Sequence, residues 1–435
     1  MLRKRATFSE DDIADQIARV RFRDVFAVAE FRALWLAQLL SVVGDQLARV
    51  ALTILVYDQT RSAFLAAVTF VASVIPTFVG GVTLSWLADR YPRRRVMIVC
   101  DLVRCGLVLV MAIHGMPLAV LVVLLFVVTL VGAPFTSARA ALYPDVLDGD
   151  RYVVGTAITL TTNQFAQVIG FAVGGALDGF LGTGRALLID AATFACSAAI
   201  VRLWVRVRPA ARVGAGSGVS RRGGVAEGIR LVFGNRVLRT SMLFGWLAAF
   251  YNVPEGVVTP LAMSLHGGAT TVGVILAAAA LGETTGALLF SRFVSPSARL
   301  RWMGPVAVIS CAFLVIFAAK PALPEALTIL LIAGGLCACY QIAANAAFVS
   351  ATPRDKRSQA FGLAQGGISL GQGTVMIVAG AVAQAVSPSL VIAVCGGVGA
   401  LLAAVLSAGW SRGQRGLRID GKTTASAPVD GTHGT

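Results

Sequence analysis

Ser85-Trp-Leu-Ala-Asp-Arg-Tyr-Pro-Arg-Arg-Arg95 is a short charged turn with an apolar block of about twenty residues on either side. A helix needs about twenty apolar residues to cross the hydrocarbon of a bilayer. The flanking blocks therefore read as two membrane spans, and the turn as the loop between them. Working outward and breaking at charge runs, proline and glycine gives spans near 33–58, 62–88, 95–114, 117–141, 152–177 and 185–205. A second set lies near 236–263, 270–292, 301–319, 322–349, 358–384 and 388–410.

Composition agrees with a lipid solvent. The 435 residues are 57% apolar and 14% charged, and mean hydropathy is +0.78. A soluble domain carries roughly 45–50% apolar and about 25% charged residues. The net charge of +15 does not indicate nucleic acid, because the basic residues fall in short runs between apolar blocks. The seven cysteines lie in or beside apolar blocks without metal-ligand spacing, and read as small buried apolar residues. The first 30 or so residues mix acids and bases with no short apolar core, so a cleaved signal peptide is not expected.

Lys and Arg concentrate on the cytoplasmic side of membrane proteins, which tests the count of spans. The N-terminal segment, the loops after spans 2, 4, 6, 8 and 10, and the tail hold 32 of the 37 basic residues. The opposite loops hold Arg61, Arg185 and Lys320; the last two, Arg49 and Arg104, lie inside spans. Both termini are thus expected in the cytoplasm. The expected divisions are a cytoplasmic segment 1–32, a six-helix bundle 33–205, a flexible linker 206–235, a second six-helix bundle 236–410 and a disordered tail 411–435.

The two halves show self-similarity. One ungapped shift of 206 residues places Ala138-Arg-Ala-Ala-Leu142 on Ala344-Asn-Ala-Ala-Phe348, Arg151 on Arg357, Gly174 on Gly380, Gly80 on Gly286 and Ser85 on Ser291. Duplicated bundles are common in membrane transporters.

Over roughly residues 30–410 the chain resembles the major facilitator superfamily. The opening turn is similar to the signature G-x-L-A-D-R-x-G-R-[RK], with Ser85 and Pro92 where the family usually has glycine. The resemblance implies twelve transmembrane helices in two pseudo-symmetric bundles. It also implies that Asp89, Arg90, Arg93 and Arg94 form a cytoplasmic latch between them; the alternative is that the arginines only set topology. Phe31-Arg-x-Leu34-Trp35-x-x-Gln38-x-x-Ser41-x-x-Gly44-Asp45 and Asp190-Ala-Ala-Thr-Phe194 look like the enterobactin-exporter and macrolide-efflux-like branch. Gly170-Phe-Ala-Val-Gly174-Gly175 resembles the antiporter motif G-P-x-x-G-G with Phe171 for proline. These glycines also suit plain helix packing. Span 4 lacks the family's mid-helix arginine motif, and Arg139 near its end is a poor substitute.

Charges at span depth point to a site. Asp45, Arg49, Glu255 and Glu283 fall near mid-span, with Asp101 and Arg104 read as nearer the cytoplasmic end of span 3. Each such charge costs about 2.5–3.5 kcal/mol on the insertion scale, so they should face a wet cavity or one another. Asp45 and Arg49 are four apart and share a helix face. The 206-residue shift puts Arg49 on Glu255, so these two should sit at equivalent depths. The expectation is that Glu255, with Arg49 or Asp45 as counter-ion, binds a proton or a cationic substrate; the alternative is a fixed structural pair. Glu283 is either a second proton site or a bond to a neighbouring helix. Asn163, Gln164, Asn252, Gln341 and Asn345 are candidate cavity hydrogen-bonders or helix glue. His114 and His266 read as near the extracellular side and His433 as in the tail, so no buried histidine relay is expected.

No P-loop GxxxxGK[ST], HExxH or GxSxG accompanies the spans, so neither ATP-driven transport by this chain alone nor an enzyme is expected. The leading reading is a proton-coupled exporter of drug-like or siderophore-like small molecules working by alternating access. The alternatives are an uptake porter, or a non-transporting sensor or scaffold. Small-molecule substrate, protons and lipid are the expected partners, with no cofactor or metal. The chain is expected to act as a monomer, multi-pass, in a bacterial plasma membrane.

Overall fold

A computed structural model describes residues 22–84, 86–113, 115–148, 150–208, 224–353 and 357–424. The described residues form helices and no strand. Twelve rods run up and down: α1 (Ala29–Thr60), α2 (Ala63–Val71 and Ile75–Thr83), α3 (Arg93–Met111), α4 (Leu118–Val146), α5 (Asp150–Leu181) and α6 (Thr183–Trp204) make the first six. The last six are α7 (Arg236–Trp246, Ala248–Tyr251, Val253–Gly256 and Val258–Ser264), α8 (Ala269–Phe293), α9 (Pro296–Val315), α10 (Leu323–Ala351), α11 (Arg357–Val382) and α12 (Pro388–Thr424).

Nine of the described runs are apolar and long enough to cross a membrane. The other three rods depart for chemical reasons. α3 carries Arg93, Arg94, Arg95, Asp101 and Arg104. α11 is rich in glycine and glutamine. α7 is broken into pieces, with Pro254 and Pro260 each lacking the N–H that a continuous helix would use. Lipid offers no hydrogen bonds, so every backbone group must be served internally. Ser62 accepts from Leu65 N–H at 3.2 Å to start α2, and Asn235 accepts from Val237 N–H at 2.9 Å to start α7.

Three stretches differ from their sequence reading. α12 continues to Thr424, beyond the boundary at 410; a long span already supplies the helical nucleus from which further turns extend. Part of the expected linker, Gly224–Gly234, is helical; its preceding portion, 209–223, lies outside the described residues, as do residues 1–21. α7 is four pieces where one span over 236–263 was expected.

The packing repeats between halves. Gly80 of α2 sits against Leu130 O and Ala133 of α4, and its shifted counterpart Gly286 of α8 sits against the backbone of Gly335 in α10. The first six helices touch the last six most extensively through α5 on α8 and α11 on α2, the two contacts that the pseudo-symmetry exchanges, with smaller contacts of α7 on α1 and α2 and of α8 on α1. Both main contacts form at the face away from the termini. There Gly175 meets Gly273 backbone to backbone, Gly380 meets Ala63 and Phe64, and Gln384 Nε2 donates to Ser62 Oγ at 2.7 Å. One apolar core runs across this closure, joining Val50, Ile54, Phe70 and Phe171 to Val257, Leu261 and Met376.

Candidate functional site

Two cavities open where the helices of each half part. The first, about 270 Å³, lies among α1, α2, α3 and α4, and its lining includes Gln38, Ser41, Asp45, Gln46, Arg49 and Arg104. The second, about 450 Å³, lies among α7, α10 and α11, and is walled by amides and aromatics, including Gln341, Asn345, Phe348, Phe361 and Gln365. The first is charged and the second neutral. Gln341 and Asn345 both line the second cavity. Asn163 and Gln164 are half-buried on α5 and line neither cavity. The Asn252 side chain sits at a break of α7, with its Oδ1 buried and without a hydrogen-bond donor.

The charges of the first cavity pair differently from the local rule. Asp45 bonds Arg104 of α3, not Arg49 one turn away on its own helix. Arg104 is the twelfth of the 19 residues of α3 and so lies mid-helix, deeper than its sequence reading placed it. Its Nη1 donates to Ser41 Oγ at 2.9 Å, and its guanidinium lies 4.0 Å over the ring of Phe194 in α6. Behind it stand two wholly buried acids. Ser197 Oγ donates to Asp101 Oδ2 at 2.6 Å, and Thr193 Oγ1 reaches Asp190 Oδ1 at 3.4 Å. Gly44 is the point of α1 that presses on Asp190 and Thr193, where a side chain would have no room. Asp101 and Arg104 are visible in the sequence as charges in a span and Asp190 as part of a motif; their convergence is not, because it is made between α3 and α6.

Arg49 instead spans toward the other half. Its Nη2 donates to the Ser73 carbonyl at 3.3 Å, where α2 is interrupted, and its guanidinium lies 5.4 Å from the Phe70 ring centre. Glu255 of α7 and Asp45 are the acids that act on it electrostatically. Glu255 in turn acts on Glu283 of α8, and both act on the Tyr251 hydroxyl. That hydroxyl is buried beside the Glu283 carboxyl and occupies space that Gly334 leaves open, 2.6 Å from where a Cβ would sit. The 206-residue shift that matched Arg49 to Glu255 therefore joins two residues that act on each other electrostatically across the halves.

The signature turn binds its own half. Arg93 Nη1 donates to Asp145 Oδ2 at 2.6 Å and to Ala141 O at 2.8 Å on α4, and Arg94 bonds the Arg202 carbonyl of α6. Arg90 is exposed and lies 6.0 Å over Trp86. The Asp89 side chain, Ser85, His114 and His433 lie outside what is described. Next to this turn, Glu30 pairs with Arg208 and accepts from Arg206 N–H at 3.1 Å. The Glu30 hydrogen bond holds the Arg208 guanidinium above its ordinary value. Of the antiporter-like glycines, Gly170 and Gly174 press on α1 at Gln46 and Leu47, while Gly175 faces α8.

The sequence profile of the Major Facilitator Superfamily matches residues 34–259 and 255–422. The multidrug efflux pump Tap of Mycobacterium tuberculosis (strain ATCC 25618 / H37Rv) is 28% identical over 276 residues, 58% of this chain and 62% of that protein. The chain thus spans less than two thirds of that relative's length. Two solved structures share the fold. A bacterial homolog of the human lysosomal transporter Spinster, inward-facing and occupied, has a TM-score of 0.66 at 16% identity, covering 88% of this chain and 96% of that one. A POT family transporter in complex with 5-aminolevulinic acid has a TM-score of 0.70 at 10% identity, covering 86% and 95%.

Proposed function

The chain belongs to the Major Facilitator Superfamily, and from that premise we propose that it is a proton-coupled secondary exporter of drug-like small molecules. The observation that carries this reading is the set of charges at span depth, in which Glu255 acts electrostatically on Arg49 from beyond ion-pair distance, with Glu283 behind it and the Asp45 cavity beside Arg49. A fixed scaffold gains nothing from the insertion cost of these groups. In an alternating-access cycle the two bundles rock about a central site. Protonation of Glu255 removes its attraction for Arg49, and with it one tie between bundles. The efflux direction is supported by similarity to Tap.

With the basic loops in the cytoplasm, closure at the face away from the termini corresponds to an inward-facing state. Arg93 and Arg94 then rest on α4 and α6 of their own bundle, and the latch across the bundles belongs to the opposite, outward-facing state. The neutral cavity at Gln341 and Asn345 suits the body of an amphipathic substrate, and the charged cavity its polar end.

A thermal-shift screen on purified protein finds ligands, since one that favours the folded state raises the melting temperature. Proton flux driven by that ligand in everted vesicles is the expected result, and its direction separates export from uptake. Glu255→Gln is expected to abolish the pH dependence of transport. Unchanged pH dependence in a folded Gln variant would end the coupling role.

A further inference from the structure

Inside the first six helices one guanidinium is shared by three acids. Asp45 comes from α1, Asp101 from α3 and Asp190 from α6, and these are the charged groups that act on Arg104. On the α4 side the guanidinium faces Gly132, where a Cβ would stay 3.5 Å or more from it.

The three acids differ in what they can do. Asp45 has a side chain 37% exposed, and it lines the cavity. Asp101 is 0% exposed; Ser197 anchors its Oδ2, while its Oδ1 accepts no hydrogen bond and lies 3.8 Å from Arg104 Nη1. Asp190 is also 0% exposed, with Oδ2 unpartnered, but it lies beyond ion-pair distance of Arg104. Leaving a buried oxygen without a donor costs about 1–3 kcal/mol. At Asp101 the missing donor is the arm of Arg104 that now bonds Ser41. The guanidinium can slide toward it, because one side faces the flat ring of Phe194 and the other the bare Cα of Gly132.

We propose that Arg104 is a two-position switch: it bonds Asp45 when the cavity carboxylate is free, and turns to Asp101 when a proton or a cationic group takes Asp45. In the proton case, a proton from cavity water adds to the outward Asp45 oxygen. The Arg104 bond to that carboxylate is exchanged for one to Asp101, and the cluster gains one positive charge with no electron transfer. Asp101 acts here as a positioning residue, reached only through Arg104. Cavity occupancy would then change which of α1 and α3 the guanidinium ties, with α6 holding Asp101 through Ser197. The inference rests on the transporter reading for its use, but not for its chemistry.

pH-titrated infrared spectroscopy of the full-length protein in nanodiscs tests it, because the carbonyl stretch of a protonated carboxylic acid is read without any substrate. A titrating band is expected in the wild type and is lost in Asp45→Asn. In Asp101→Asn, a freed Arg104 has no second partner, so the band should titrate at least one pH unit lower, a tenfold weaker proton affinity. Asp190→Asn alters an equally buried carboxyl that lies beyond ion-pair distance of Arg104, and should move the band by less than half as much. Equal shifts in the two variants would reduce the effect to general electrostatics and overturn the switch. So would an unmoved Asp45 band in Asp101→Asn, or a spectrum that Asp45→Asn leaves unchanged, once the bands of Glu255 and Glu283 have been assigned with their own Gln variants. Should Asp101→Asn fail to fold, Arg104→Lys keeps the charge without a second arm and should shift the band in the same sense; no shift there is equally fatal. Loss of transport with the infrared pattern intact would strike the exporter reading alone.

Discussion

Gly175→Ala isolates the closure of the two halves. A Cβ at position 175 would lie 2.6 Å from Ala269 O, 2.6 Å from Gly273 Cα and 2.7 Å from Gly273 N. Ordinary contact begins near 3.4 Å, so α5 and α8 must separate by about 0.8 Å at this point. All three obstacles are backbone, and no side chain can turn away. Overpacking of this kind costs about 1–3 kcal/mol. The strain exists only while this face is closed, so the conformational equilibrium should shift by about 5–150-fold toward opening there. Within α5 itself, alanine is the better helix former by about 1 kcal/mol, so loss of folding is not the expected outcome. The assay uses Ser62→Cys with Gln384→Cys, two side chains now 2.7 Å apart across the closed face. The seven native cysteines are first replaced. Disulfide formation should slow at least fivefold on adding Gly175→Ala. An unchanged rate, with an unchanged melting temperature, would refute the idea that backbone contact at Gly175 sets the closure.

Two further substitutions probe separate features. Tyr251→Phe takes from the buried Glu283 carboxyl the hydroxyl beside it, so stability should fall by about 1–3 kcal/mol; an unchanged melting temperature would show that the two groups do not bond. Glu30→Gln breaks a partly exposed pair with Arg208 and should cost no more than about 1 kcal/mol, the gap in melting temperature closing as salt is raised. A raised Arg208 value means that arginine's side of the pair is fully present at neutral pH and is lost only in strongly alkaline solution. A gap that closes instead between pH 7 and 9 would contradict that.

The rods were legible because lipid imposes one simple rule on composition. Their ends and breaks were less so: hydropathy merges α7 into one span, although Asn252, Pro254 and Pro260 mark its breaks. The repeat did more than count helices. It matched Arg49 with Glu255, and Glu255 is one of the two acids that act on Arg49 electrostatically. What failed was the partner of Asp45. The four-residue rule sees only one helix, whereas Arg104 comes from α3 and its surroundings from α6. Asp190 was read only as part of a motif, yet its carboxyl is what Gly44 makes room for. The amides divided for a similar reason: Gln341 and Asn345 look into a cavity while Asn163 and Gln164 do not, and the direction a helix face takes is decided by its neighbours.

The breaks in α7 have a mechanical consequence. An unbroken helix is a stiff rod, and bending it strains a ladder of hydrogen bonds along its length. α7 leaves helical geometry at Asn252 and again at Val257, and Glu255 rides on the link between. Such a link works as a crank between two joints. Its carboxyl can swivel toward or away from Arg49 while Leu238 and Met242 at one end, and Leu261 and Ala262 at the other, keep their seats in the core.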